Sequence, residues 1–313
     1  MAYKKGIVFT TLITGFILSL FLCLFYRLDL SNGEIILSYI RVPAVIKAII
    51  SGSCLSLAGM FLQTISKNPL ADPYLTGLSS GAGFGIVISL LFFNSVNYSL
   101  FGFFGALFAA ALVIILSGFS KFSITKLILI GLSVNLFTGA LISFLILLNP
   151  LKSYAMTLIL TGGFSSADVS SKVLVSLFIS AIILCGLFVP KLNAMRLDNR
   201  LIFNSGTKVN LYNIVFIILA AFLTSISVYC AGILGFAGII CPLLTKLLLG
   251  NDSRVLFFAN ILTGSTLLLF SNFLAANIIY PLEVPLGVVV AIVGVPFFVY
   301  FLLKKGGILN NQD

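Results

Sequence analysis

Ten apolar runs, most of them close to twenty residues long and nearly free of charge, succeed one another along the chain at roughly 6–26, 44–66, 77–93, 100–117, 126–148, 173–190, 211–231, 235–250, 255–276 and 285–303. A helix needs about 20 such residues to cross the hydrocarbon core of a bilayer, and a spanning backbone must satisfy its own polar groups. Charged residues make up 8% of the 313 positions, against ~25% in an average soluble domain. A soluble core of this size would need a charged shell that the chain lacks. The sequence therefore predicts an all-α, polytopic integral membrane protein: one domain, residues 1–313, with no charged or Pro/Ser-rich linker. Its weakest break lies near 232–235, where Gly232 and Gly235 are the markers. The amphipathic 149–172 stretch has room for a short surface helix. Lys4 and Lys5 ahead of the first run look like the start of a signal peptide, but the run is too long and no small-x-small site follows, so a retained first span is expected.

Basic residues orient the spans. With the N-terminus inside, 13 of the 18 Lys and Arg fall on the inner side and 5 on the outer, the bias expected of cytoplasmic loops. Ten spans place both termini on that side, in the cytoplasmic (inner) membrane. The net charge of +10 is spread over span ends rather than clustered, which argues against a nucleic-acid partner.

The residues that are missing narrow the function. There is no histidine, and the five cysteines form no CxxC pair, so neither His-ligated zinc or haem iron nor a disulfide framework is expected, and no cofactor is. The eight acids all fall at span ends or in loops, which leaves no intramembrane carboxylate for an ion-coupled secondary transporter. No GxxxxGK[ST] phosphate loop is present. An enzyme is not expected, and uphill movement would need energy from another subunit.

The most informative stretch closes the second run. Gly52, Ser56, Gly59 and Gln63 fall at i, i+4, i+7 and i+11, putting three small residues and an amide on one helix face, where a second backbone can approach and be hydrogen-bonded. On spacing alone, generic helix packing is the better explanation. Asn68-Pro69 stops the helix. Leu70 and Ala71 follow, and Asp72-Pro73 reads as an N-cap with proline at the first helical position. The next segment, Gly77 to Gly85, is again rich in small residues.

These residues carry a resemblance. Arg41-x-Pro43, Gly52, Gly59, Gln63 and Asn68-Pro69-Leu70-Ala71-Asp72-Pro73 resemble the permease subunits of ABC importers for iron–siderophore complexes, haem and vitamin B12. Two further blocks agree: Gly232-Ile-Leu-Gly235-Phe236-Ala-Gly238-Ile-Ile-Cys-Pro242 with Gly250-Asn-Asp252-Ser-Arg254, and Glu283-Val-Pro285-Leu-Gly287 with Gly294-Val-Pro296. The resemblance implies a homodimer, or a pair with a close paralogue, whose pathway runs between the subunits. It also implies two cytoplasmic ATP-binding subunits, an external substrate-binding protein, and inverted repeats relating spans 2–5 to spans 7–10. The expected cargo is an iron–siderophore complex or related chelate, with haem and cobalamin as alternatives.

By position, the cytoplasmic element that couples to the ATPase falls at 192–206, from Leu192-Asn193 to Ser205-Gly206. The family's usual pair of acids is replaced there by Asp198-Asn199-Arg200. Leu243 stands after Pro242 where a histidine is usual, and Lys246 where an arginine is. Outside, Arg41, Lys47 and Glu283 are the expected docking residues for the binding protein, while Ala44 and Ala276 occupy positions where arginines are expected.

Overall fold

The structure, a computed structural model, describes residues 2–26, 33–74, 76–93, 98–117, 124–164, 171–196 and 209–309. Eleven helices cover them: α1 Ala2–Phe25, α2 Gly33–Ser66, α3 Leu78–Phe93, α4 Tyr98–Ser117, α5 Ile124–Leu148, α6 Pro150–Leu160, α7 Ser171–Met195, α8 Val209–Ala231, α9 Ala237–Leu249, α10 Ser253–Asn277 and α11 Leu286–Leu309. Each of the ten apolar runs lies on one of them, and α6 occupies the amphipathic stretch between α5 and α7.

Seven helices (α1, α2, α4, α5, α7, α8 and α10) are long and apolar enough to cross a membrane by length and composition. The apolar helices α3 and α9 run to only 10–17 residues, about 15–26 Å at 1.5 Å per residue. Each begins after an irregular turn. Gly77, at φ 82°, delays α3 to Leu78, and the Gly232–Phe236 bend, with Gly232 at φ 75° and Phe236 at φ 66°, delays α9 to Ala237. Irregular backbone of this kind is tolerated at membrane depth when protein surrounds it. The α3 start also revises the sequence reading: Asp72-Pro73 opens a turn ahead of the helix, not the helix itself. Thr76 N–H returns to the Asp72 carbonyl at 3.0 Å, Gly77 turns left-handed, and Leu78 N–H reaches back to the Pro73 carbonyl at 3.2 Å.

The first two spans contrast in hydropathy and in burial. The α1 window has mean hydropathy 2.5 and is 11% buried, whereas the α2 window has 1.8 and is 89% buried. In a bilayer the apolar surface faces lipid, and the centre is held by close approach and hydrogen bonds between small residues. α2 is accordingly threaded with Ser51, Gly52, Ser53, Ser56 and Gly59, and it packs against α8, α9 and α10. Ser51 meets Ser227 of α8 at 2.5 Å, and Ser53 meets Ser265 of α10 at 2.8 Å. Helices α3, α4 and α5 form a second layer in which Gly81 and Gly85 of α3 lie against the Gly105 and Phe101 carbonyls of α4. α2 carries a π-turn over Ile36–Arg41 just ahead of Pro43, closed by Val42 N–H donating to the Leu37 carbonyl.

Candidate functional site

The small-residue face of α2 serves two neighbours. A β-carbon at Gly52 would collide with the Gly264 carbonyl of α10, and one at Gly59 with the Gly238 carbonyl of α9. Between them, Ser56 donates to Asn260 Oδ1 at 2.8 Å. The Asn260 carbonyl oxygen also accepts from Thr245 at 3.2 Å, and its amide nitrogen donates to the Leu256 carbonyl at 2.8 Å, so one buried amide joins α2, α9 and α10. Asn260 was a readable signal: an amide inside an apolar run has to find partners.

Gln63 sits one turn further along. Its Nε2 donates to the Gly238 and Ile239 carbonyls, both at 3.2 Å. The reason lies inside α9. Residue 242 is proline, which has no N–H to return to the carbonyl four residues back, and that carbonyl belongs to Gly238. Gln63 thus supplies the donor that Pro242 cannot. The two motifs, 175 residues apart, form one device.

The signature turn folds back onto the same spot. Lys67 ends α2 in the left-handed conformation at φ 51°. Asn68 Oδ1 then accepts from Leu70 N–H at 2.9 Å, and Asp72 Oδ2 from Tyr74 N–H at 3.3 Å, each an Asx-type turn. Asp72 is buried, and a β-carbon at Gly238 would overlap its carboxylate and touch Pro73 at 2.9 Å. Gly59, Gln63, Asp72, Pro73 and Gly238 therefore meet in one place. Lining the same cavity as Asp72, the third block pairs with Thr161–Gly163: Leu286 and Gly287 N–H groups donate to the Gly162 and Thr161 carbonyls, both at 3.0 Å, and Gly163 N–H donates to the Ala231 carbonyl at 2.9 Å. Nothing in the sequence flagged Thr161–Gly163.

A cavity of about 890 Å³ runs along this assembly, lined by Asp72, Tyr74 and Ser80, by Asn135 and Ser143 of α5, by Thr157 and Thr161, and by Gly235, Phe236, Ile239 and Gly287. Its walls are mostly apolar, with scattered hydroxyl and amide groups. That suits passage of a large solute with few fixed contacts.

At the far end of α7, Leu192 is buried in the last turn and Asn193 follows it. Asp198, Arg200 and Gly206 lie outside the described residues. Asn193 Nδ2 donates to Asp252 Oδ1 at 3.1 Å, which, with the Arg254 N–H, holds the Asp252 carboxyl below its ordinary range. Lys246 and Arg254 are exposed beside this turn.

The residues expected to dock the binding protein divide. Arg41 Nη1 donates to the Leu24 and Tyr26 carbonyls at 2.9 and 2.8 Å, capping α1. Arg41, Ala44, Ala276 and the exposed Glu283 line one open cavity of about 570 Å³. Lys47 does not join them. It is 6% exposed, and its ammonium donates to the Phe164 carbonyl at 2.8 Å. Its expected place on the docking surface is therefore corrected: one turn beyond Ala44, α2 has already entered the protein, and a cation there needs an internal acceptor.

Fold and site together define an all-helical, multi-pass membrane permease, built around small-residue contacts and polar repairs of broken helices. The chain belongs to the FecCD transport family, whose profile matches residues 6–304. It is 30% identical over 292 residues to the iron(3+)-hydroxamate import system permease protein FhuG of Bacillus subtilis (strain 168), covering 90% of this chain and 87% of that protein. It is also 30% identical over 281 residues to the Fe(3+)-citrate import system permease protein YfmD of the same organism, covering 89% and 84%. Its fold matches that of a metal-chelate type ABC transporter in an inward-facing conformation, with a TM-score of 0.86 at 24% identity, covering 96% of this chain and 99% of that one.

Proposed function

We propose that the chain is the membrane subunit of a binding-protein-dependent importer that carries ferric siderophore or a related ferric chelate inward. In this reading two copies, or one copy and a close paralogue, enclose the pathway. ATP is hydrolysed by two separate cytoplasmic subunits docked at 192–206, and an external binding protein delivers cargo near Arg41 and Glu283. The observation that carries the reading is the meeting of the signature turn with the second block at Gly238, beside the apolar 890 Å³ cavity. The hydroxamate and citrate permeases it resembles support an iron chelate over haem or cobalamin.

Ten spans with both termini cytoplasmic fit the charge bias. Inverted repeats over α2–α5 and α8–α11 are supported by a shared plan: α2 and α8 are both mostly buried, and each is followed by a left-handed glycine and a short helix. The test is uptake of radioiron, presented as a ferric tri-hydroxamate and as ferric citrate, by cells carrying the chain with its ATPase and binding protein. Uptake is expected for at least one chelate and only with an active ATPase. Equal uptake with an ATPase lacking its phosphate-loop lysine would sink the proposal.

A further inference from the structure

The Gly250-to-Arg254 motif lies away from the cavity and from the outer face, yet its bonds are specific. α9 ends at Leu249 and α10 begins at Ser253, so a tight turn joins two helices of the core. Gly250, at φ 88°, reverses the chain. Asp252 caps α10, its Oδ1 accepting from Arg254 N–H at 3.1 Å. Asn193 of α7 then grips the same cap with both ends of its amide. Its Oδ1 accepts from Ser253 N–H at 2.7 Å, and its Nδ2 donates to Asp252 Oδ1 at 3.1 Å. Opposite polarities at the two atoms permit one register and one orientation only.

Arg196 closes the cluster. Its Nη1 donates to the Asn251 carbonyl at 2.5 Å and its Nη2 to Thr64 Oγ1 of α2 at 3.2 Å. Beside these residues Leu192 and Met195 are buried, so the end of α7 is anchored and not draped over the surface. Four helices, α2, α7, α9 and α10, are thereby tied at the point where the 192–206 segment begins. From the turn, α9 runs back to Ile239 and to Phe236 just before its first residue, both on the cavity wall, and α10 runs to Asn260 and Gly264 against α2.

We propose that Asn193, Arg196 and Asp252 are positioning residues: a latch that makes the end of α7 and the α9–α10 turn move as one body, so that displacement of the coupling segment by the ATPase reaches the cavity wall. This rests on the permease reading above. A solvated loop beside α7 would slide past the turn, whereas a two-ended amide grip on a helix cap carries both push and pull.

The experiment reconstitutes the chain with its ATPase and binding protein in proteoliposomes and measures ATP hydrolysis and ferric tri-hydroxamate radioiron uptake side by side. Asn193→Ala removes two hydrogen bonds, and uptake per ATP is expected to fall about tenfold while ATP hydrolysis stays within about twofold of wild type. Asp252→Asn keeps an oxygen for both the Arg254 N–H and the Asn193 amide and is expected to retain most of the coupling. If Asn193→Ala does not assemble, Asn193→Gln, which carries the same amide on a longer stem, is read in its place. An unchanged uptake-to-ATP ratio overturns the latch. So does a proportional loss of both activities in an assembled complex, since that is what a purely structural role would give. If wild-type uptake itself ignores the ATPase, the permease reading fails, independently of the latch.

Discussion

Gly59→Ala adds one methyl group at the point where the signature face of α2 meets α9. The β-carbon would overlap the Gly238 carbonyl, and Gly238 Cα would stand 2.8 Å away. Both are backbone atoms, so no side chain can rotate aside, and α9 itself must move outward by on the order of 1 Å. That movement stretches the two Gln63 bonds, now 3.2 Å, and lifts Gly238 off Asp72. Overpacking costs about 1–3 kcal/mol, and weakening two intramembrane hydrogen bonds adds roughly 1 kcal/mol. A loss of about 2–4 kcal/mol follows, a large part of a marginal stability. The assay is reversible denaturation of the purified chain in mixed micelles, with Gly186→Ala as the control. A β-carbon at Gly186 meets nothing within 4 Å, so that variant is expected to be at least as stable as wild type. If Gly59→Ala is as stable as Gly186→Ala, the close-approach reasoning is refuted.

Two further outcomes follow from the same contacts. Gln63→Leu leaves the Gly238 carbonyl, already denied its helical donor by Pro242, without a partner, and is expected to cost about 1–3 kcal/mol in the same denaturation assay. Loss of stability in Gln63→Leu should largely disappear when Pro242→Ala restores the backbone donor, and a double variant no better than the single would contradict the pairing. Lys47→Ala is expected to lower the yield of folded chain by removing the donor to Phe164, whereas Glu283→Gln should leave yield unchanged; binding-protein affinity measured on Glu283→Gln, and not on Lys47→Ala, tests the proposed docking surface.

Much of the architecture was legible because it depends on composition and local spacing. A bilayer requires long apolar helices, and the runs could be read off directly. The Gly52–Gly59 stripe on one face of α2 was likewise readable, since helical periodicity depends on the backbone alone. The late starts of α3 and α9 were less so. Asp72-Pro73 has the local chemistry of a cap, but Gly77 takes a left-handed conformation where it packs against Gly131 and Val134 of α5, and that neighbour is 54 positions away. Lys47 was misplaced for a similar reason, because spacing along α2 says which face a residue occupies and not how deep the helix is buried there.

By itself, the amino-acid sequence determined that this chain is an all-helical membrane protein, which faces meet other helices, and which turn and glycine blocks mark its family. These follow from hydrophobic length and helical period, which are properties of short segments. Only the tertiary structure decided what those segments do for each other. It brought Gln63 to the carbonyl orphaned by Pro242, set Asp72 against Gly238, turned Lys47 inward to Phe164, and joined Asn193 to the Asp252 cap. Hydrogen bonds and backbone contacts are short-ranged, so such pairs exist only once distant stretches of chain have been packed side by side.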